Sequence, residues 1–415
     1  MSDFLQRLEE ISRVVWKGFL NDSLSSRELS ELLLPSLQHS QFIAFTIALI
    51  SSLLLTPFIT ERAIQLNLLD KPGGRHIHKN AVPRLGGLAI YLSLLITSLL
   101  FIVLYGRYTP RGFEHFELVG ILLGGTLIFL VGLFDDITPL PAKFKLFAQI
   151  FAAIVAWLCQ VKVKYIANPL FFFHLSESRV YELHPLLSFI ITIGWLVLIT
   201  NALNLIDGLD GLAGGVSLIG ALSLWAVLID AKIEQPAGAL LAATLAGAVM
   251  GFLRSNYNPA RIFLGDSGAY FLGFTLGAVA VAGLSGNPNT ATIGSVVVIA
   301  LSFPLVDTIF AISRRFLKGK PIMEADADHL HHRFLRAGLS TKGTMIMVYI
   351  TCGLLGLTAA TISGTHKRYF VLVLMTLSLA LLSGFWRREK IKQVEGEIDE
   401  KLEAENNQAL PNENS

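Results

Sequence analysis

Charged residues are scarce in this chain of 415 residues. Asp, Glu, Lys and Arg make up 15% of the chain, against roughly 25% in typical soluble domains. Hydrophobic residues make up 53%, and the mean hydropathy is +0.59. A net charge of +2 gives no reason to expect nucleic acid binding. The composition therefore excludes an ordinary soluble protein and indicates a polytopic membrane protein.

Cysteine is nearly absent. The two cysteines, Cys159 and Cys352, lie in apolar runs, which excludes a disulfide framework, and no CxxC or Cys/His pattern suggests zinc. The first residues contain acids and lack an apolar core before a small-residue cleavage site, so we expect no signal peptide. Apolar residues at helical spacing instead predict an amphipathic segment over residues 1–40.

Long apolar runs dominate the rest of the chain. A membrane-spanning helix needs roughly 20 mainly apolar residues. On that basis we predict an all-α transmembrane domain over residues 41–386, followed by a polar tail over 387–415. Its eleven predicted spans are centred near Ile50, Leu95, Leu127, Ile154, Leu196, Ala221, Leu245, Phe274, Ile299, Leu354 and Leu377.

The distribution of basic residues predicts the orientation of these spans. Alternate loops and the C-terminal tail carry more than twice as many lysines and arginines as the opposite set of loops. The basic set is expected in the cytoplasm, with the N-terminus outside. Every dense polar motif falls in that set, which predicts one cytoplasmic site built from "DKPGGRHIHKNAVPRLGG", "FDDITPLPAKFKLFAQ", "NLIDGLDGLAGG", "NYNPARIFLGDSGAYFLG" and "DADHLHHRF".

Two pairs of acids end apolar runs. Asp135 and Asp136 are adjacent, and like charges at a membrane edge repel one another and resist desolvation. A helix-ending turn explains one acid, whereas a divalent cation or nearby lysines would neutralise both. Asp207 and Asp210 stand three apart among glycines. A glycine packing face explains the glycines only, while a closely approaching phosphate or sugar ligand explains both.

A further acid, Asp266, stands between glycines at the inner end of an apolar run. An ordinary helix N-cap is one interpretation. Alternatively, Asp266 holds a metal, because carboxylates without nearby cysteine suit Mg²⁺ or Mn²⁺ and these ions bridge substrate phosphates. In "DADHLHHRF", the spacing of the histidines disfavours zinc. These histidines fit donors to a pyrophosphate or sugar as well as they fit a solvated basic loop.

These motifs resemble, in order, those of the bacterial polyprenyl-phosphate N-acetylhexosamine-1-phosphate transferases. The resemblance runs from about Asp70 to Phe334. It implies transfer of GlcNAc-1-phosphate from UDP-GlcNAc to undecaprenyl phosphate in the cell membrane, with release of UMP and Mg²⁺ as cofactor. It implies catalytic roles for Asp135, Asp136, Lys145, Asp207 and Asp210, a metal ligand in Asp266, and substrate binding by Arg84, Asn204, Asn258, His329, His331, His332 and Arg333.

The sequence also departs from the motifs of related proteins at two places. "LHHRF" stands where the related phospho-MurNAc-pentapeptide translocases have a "HHHFE"-like ending, which argues against that substrate, and His76 stands where the family more often has lysine. A cation-coupled transporter or flippase is the alternative function, although transporters place such sites near mid-membrane. For the transferase, we expect the lipid phosphate to attack the donor directly, without a covalent enzyme intermediate. A homodimer is compatible with the sequence, which does not determine the oligomeric state.

Overall fold

The structure is a computed structural model that describes residues 37–70, 81–105, 115–168, 178, 180–229, 236–284, 298, 301–319 and 329–362. The predicted amphipathic segment lies almost wholly outside the described residues, as do the span near Leu377, the polar tail and His76. Most of the span predicted near Ile299 also lies outside them.

Eleven helices and four short strands occur in the described residues. The helices are α1 (Leu37–Gln65), α2 (Gly86–Tyr105), α3 (His115–Ile137), α4 (Ala142–Leu158), α5 (Pro185–Ile206), α6 (Leu212–Leu228), α7 (Pro236–Asn256), α8 (Gly265–Leu284), α9 (Ser302–Leu317), α10 (Leu330–Arg336) and α11 (Thr341–Ile362). The strands form two antiparallel pairs, β1 (Leu69–Asp70) with β2 (Val82–Pro83) and β3 (Tyr165–Ala167) with β4 (Val180–Glu182).

Six of the described helices are long and apolar enough to cross a membrane, which confirms the prediction of a mainly helical, polytopic membrane protein. They lie within α1, α2, α3, α5, α7 and α11. The spans predicted near Ile154 and Ala221 correspond to α4 and α6, which have 17 residues each. At 1.5 Å per residue, 17 residues reach about 25 Å, slightly less than a typical hydrocarbon core.

Helix α8 lies at the centre of the bundle and packs against α2, α3, α5 and α6. Nearly all of its described side chains are buried, so it has no polar face to turn toward water. Glycines permit its close contacts, since a Cβ on Gly87 would collide with the backbone of Gly268, and a Cβ on Gly132 would collide with the backbone of Ser267. Small residues allow such backbone approach between membrane helices.

One end of the bundle gathers the ends of several helices. The segment before α8 pairs with the start of α2, because the Gly86 amide donates to the Phe263 carbonyl at 2.9 Å and the Gly87 amide to the Leu264 carbonyl at 2.8 Å. The last residues of α3 and α5 meet the first turn of α8 here. Because the chain doubles back between helices, polar motifs far apart in sequence come together at this end.

Candidate active site

Four carboxylates occupy this end of the bundle. Asp135 and Asp136 lie in the last turn of α3, Asp207 follows the last residue of α5, and Asp266 lies in the first turn of α8. Each comes where an apolar helix ends or begins, which is where a side chain can reach both the bundle and the polar region beside it. The structure therefore brings together acids from three of the predicted motifs.

Lys145 joins two of these acids. Its Nζ lies 2.8 Å from Asp135 Oδ2 and 3.5 Å from Asp266 Oδ2. The side chain comes from the first turns of α4, which follow directly after the turn that ends α3. The other oxygen of Asp135 accepts the Leu140 amide at 2.6 Å, so this turn folds around the carboxylate. Lys145 is thus a cation held between two acids at the point where α3, α4 and α8 meet.

Asp136 has different partners from Asp135. Its Oδ1 accepts the backbone amide of Asp266 at 2.7 Å, and its Oδ2 accepts that of Ser267 at 3.0 Å. The first amides of a helix have no partner within the helix, and the helix dipole favours negative charge there. Asp136 therefore caps α8 from another helix and fixes the turn that carries Asp266. Gly265 enters this turn at φ +75° with Asp136 against it, where a Cβ would be strained and crowded.

Asp207 and Asn204 complete the group. The Asn204 amide nitrogen donates to Asp266 Oδ1 at 3.0 Å, linking the end of α5 to the start of α8. Burial, followed by the negative charges of Asp266 and Asp136, raises the pKa of Asp207 to about 8, although Arg84 opposes the shift. The carboxylates therefore lie close enough to disfavour ionisation of one another, and a bound cation would relieve this.

Asp210 points to a neighbouring loop. Its Oδ2 accepts the side-chain amide of Asn258 at 3.1 Å and the backbone amide of Ala260 at 3.0 Å. The loop containing Asp210 turns into α6 at Gly211, which has φ +78° and whose carbonyl accepts the Tyr349 hydroxyl. In the described contacts, Asp210 and Asn258 bind each other, and their predicted roles toward substrate stay predictions.

The histidines lie on and before α10. His329 precedes this helix, and its Nδ1 lies 3.0 Å from Asp307 Oδ2. The His331 ring lies against Gly208 of the Asp207 loop, with Nε2 buried and without a hydrogen-bond partner among the described residues. Burial, followed by the neighbouring charges of His332 and His329, lowers the pKa of His331 to about 4, so the ring is neutral near pH 7.

Two arginines are among the residues predicted to bind substrate. The Arg84 guanidinium lies 3.9 Å from Asp70 and remains 41% exposed, with its charge felt at Asp207. Arg333 is exposed on α10. Only Arg84 has a described electrostatic effect on the acids, and the substrate contacts of both arginines stay predictions.

Sequence reasoning missed two features near the site. Gln149 and Asn201 form a reciprocal amide pair, one helical turn deeper than Lys145 and Asn204. Asp307, which lies in α9, forms a side-chain hydrogen bond with His329. Both follow from a signal present in the sequence, because polar residues inside apolar helices are costly and usually have a defined partner.

The carboxylates of the site are oxygen ligands of the kind that Mg²⁺ takes. Among the described residues, no group of three or more His, Cys, Asp or Glu side chains has metal-binding geometry. Mg²⁺ does not need such a cage, because it keeps several waters and takes one or two carboxylates together with substrate phosphates. Asp266 and the partly buried Asp207 offer oxygen ligands in a place with excess negative charge. The residues therefore fit the predicted ion.

Comparisons with known proteins bear on the resemblance predicted from the motifs. A family model described as glycosyl transferase family 4 matches residues 118–284. The chain is 33% identical over 353 residues to a probable undecaprenyl-phosphate N-acetylglucosaminyl 1-phosphate transferase of Bacillus subtilis, covering 82% of this chain and 92% of the relative. It is 31% identical over 335 residues to an undecaprenyl-phosphate alpha-N-acetylglucosaminyl 1-phosphate transferase of Thermotoga maritima, covering 80% and 94%.

A third relative is named for a different polyprenyl phosphate. The chain is 32% identical over 325 residues to a decaprenyl-phosphate N-acetylglucosaminephosphotransferase of Mycolicibacterium smegmatis, covering 74% of this chain and 78% of the relative. The predicted resemblance is thereby confirmed over most of the sequence. The chain belongs to glycosyl transferase family 4.

Proposed function

We propose that the protein transfers GlcNAc-1-phosphate from UDP-GlcNAc to undecaprenyl phosphate, releasing UMP and starting a cell-envelope polysaccharide. The relatives' names support a polyprenyl phosphate acceptor and an N-acetylglucosaminyl phosphate group. The observation that carries the proposal is Lys145 held between Asp135 and Asp266 where apolar helices end. A lipid phosphate and a water-soluble nucleotide sugar meet only at such a boundary.

The proposed chemistry depends on charge and position. Phosphoryl transfer is catalysed mainly by orienting the reactants and stabilising their charge. Lys145 binds phosphate oxygen, and Asn204 orients the Asp266 carboxylate through its hydrogen bond. Asp266, with Asp207 beside it, would hold Mg²⁺, which would supply neutralisation of phosphate charge. Asp136 fixes the α8 turn that carries Asp266.

The partners of the paired acids favour Asp135 as the group that accepts a proton from the lipid phosphate. Both oxygens of Asp136 accept backbone amides of α8, and these hydrogen bonds cannot break without unwinding the first turn of that helix. One oxygen of Asp135 is bound by Lys145, a flexible side chain that an incoming phosphate can attract away. The lipid phosphate then attacks the donor directly, with a second pKa of roughly 6 by analogy with phosphoamino acids.

We also propose that the site faces the cytoplasm, in a plasma membrane protein with eleven spans. The excess of lysine and arginine in the loops at this end supports that orientation. A transporter or flippase receives less support, because the acids lie at helix ends and the relatives are named as transferases.

Transfer by purified protein tests the function. UDP-GlcNAc, undecaprenyl phosphate and Mg²⁺ should together yield UMP and undecaprenyl-diphospho-GlcNAc, and omission of lipid or Mg²⁺ should abolish the product. Asp266→Asn should abolish transfer and weaken the response to Mg²⁺, because an amide oxygen is a poorer ligand for a hard cation. Transport of a substrate without UMP release would contradict the proposal.

Isotope exchange tests the direct route. Lipid-free enzyme with UDP-GlcNAc, Mg²⁺ and labelled UMP should incorporate no label into UDP-GlcNAc until lipid is added. Exchange without lipid, lost in Asp135→Asn, would instead establish a covalent intermediate on this residue.

A further inference from the structure

Asp307 is a buried acid that the proposed chemistry does not use. It lies in α9, within the apolar stretch "SFPLVDTIFAI", and is only 3% exposed. A buried carboxylate is costly unless its oxygens are hydrogen-bonded. Here both oxygens are bound, and both partners belong to the segment that begins α10.

The two partners of Asp307 are adjacent in the chain. Oδ1 accepts the backbone amide of Leu330, the first residue of α10, at 2.9 Å. Oδ2 lies 3.0 Å from Nδ1 of His329, which precedes the helix. Asp307 thus satisfies a helix-start amide and orients an imidazole at the same time. The backbone bond fixes where α10 begins, and the imidazole bond fixes how the His329 ring is turned.

The contact with Asp307 also sets the hydrogen-bonding character of His329. A carboxylate accepts a proton and does not donate one, so Nδ1 carries the hydrogen. In the neutral ring, Nε2 is then an acceptor for a hydroxyl group. A histidine without this partner exchanges between two tautomers, so part of its population would present a hydrogen where an acceptor is needed.

This arrangement extends to the other histidines. The rings of His329 and His331 are parallel, with centroids 5.8 Å apart, and the His331 ring rests on Gly208 beside Asp207. Because α10 has only seven residues, it has little helical stability of its own and depends on contacts at its ends. Asp307 is the contact at its first end, so its bonds help hold the histidines beside the Asp207 loop.

We propose that Asp307 is a positioning residue that holds His329 with Nε2 ready to accept a hydroxyl of the donor sugar. This inference rests on the proposed function, because it assigns the histidines to the nucleotide-sugar end of the site. In the proposed function the lipid phosphate binds near Lys145, which contacts Asp135 and Asp266 and not the histidines. Asp307 therefore affects use of the donor and leaves use of the lipid unchanged.

The test compares kinetic constants of Asp307→Asn with those of the parent protein. Asparagine keeps the size of the side chain and one acceptor, but turns an NH₂ group toward one of the two partners. We expect the KM for UDP-GlcNAc to rise about tenfold, the loss of roughly one hydrogen bond, with the KM for undecaprenyl phosphate unchanged. Thr308→Val is the matched control, since the adjacent Thr308 is equally buried and its hydroxyl has no partner among the described residues.

A double mutant separates positioning from general packing. If Asp307 acts through His329, Asp307→Asn combined with His329→Ala should be no worse than His329→Ala alone. Independent, multiplicative losses would overturn the proposal, as would equal effects on both substrates or parent-like kinetics of Asp307→Asn. If Asp307→Asn does not fold, Asp307→Glu takes its place, and its donor KM must change while its lipid KM does not. Inactive parent protein would refute the proposed function instead.

Discussion

Replacing Asp136 by asparagine tests whether this acid acts on the protein's own backbone. Its two oxygens accept the amides of Asp266 and Ser267. Hydrogen bonds to a charged group contribute roughly 1.5–3 kcal/mol each, and charge at a helix N-terminus adds about 0.3–1 kcal/mol. Asparagine keeps one neutral bond and turns an NH₂ group toward the second amide. The uncharged side chain also avoids the desolvation cost of the carboxylate, so we expect a net loss of about 2 kcal/mol.

Thermal unfolding in detergent, followed by tryptophan fluorescence, measures this loss. At about 1 °C per kcal/mol for a chain of 415 residues, the transition should fall by roughly 2 °C. Transfer activity should fall in the same variant, because the turn carrying Asp266 is no longer fixed. Glu61→Gln is the control, since it removes one negative charge from an exposed residue near the end of α1. An unchanged transition together with lost activity would refute the cap and assign Asp136 to the substrate.

Three further predictions concern other parts of the site. Gly215→Ala should destabilise the protein by about 1–3 kcal/mol through overpacking, because a Cβ there would collide with the Tyr349 ring, whereas Gly194→Ala, with open space around it, should unfold like the parent. Asp210→Ala should lower thermal stability more than Asn258→Ala, because Asp210 also accepts the Ala260 amide, and additive losses in the double mutant would contradict the bond between Asp210 and Asn258. Because the pKa of His331 is lowered to about 4, the unfolded chain binds more protons than the folded one between about pH 6.5 and 4. The free energy of unfolding should therefore decrease by up to about 3 kcal/mol as the pH falls through that range. His331→Gln should flatten this decrease, and an unchanged slope would show that the ring is not buried in its neutral form.

The sequence predicted which acids assemble because their motifs recur at helix ends. Asp135, Asp207 and Asp266 each interrupt an apolar run, and the spacing of spans brings those interruptions to one end of the bundle. Spacing along the chain does not say where each oxygen points. Asp135 and Asp136 therefore looked equivalent in sequence, whereas one binds Lys145 and the other binds backbone amides.

Other parts lay beyond sequence reasoning for different reasons. Asp307 is separated from His329 by 22 positions, and only tertiary packing of α9 against the start of α10 joins them. The pairing of Gln149 with Asn201 likewise spans 52 positions. The predicted spans near Ile154 and Ala221 correspond to helices of 17 residues, and apolar composition marks burial as well as membrane contact, since α6 is largely buried within the bundle.

The glycine contacts between α8 and its neighbours support the acids of the site differently from the way in which α10 is supported. Gly87 and Gly132 let the backbones of α2 and α3 contact the backbone of α8 directly. We call these contacts the glycine junction, and the turn that carries Asp266 lies beside it. The first amide of α10 instead donates to a single carboxylate, that of Asp307. If the α10 histidines bind the donor sugar as we propose, substitutions in α10 and at Asp307 should alter which sugar is accepted more than they alter phosphate binding. An engineer seeking a new donor would diversify that helix and leave the glycine junction untouched.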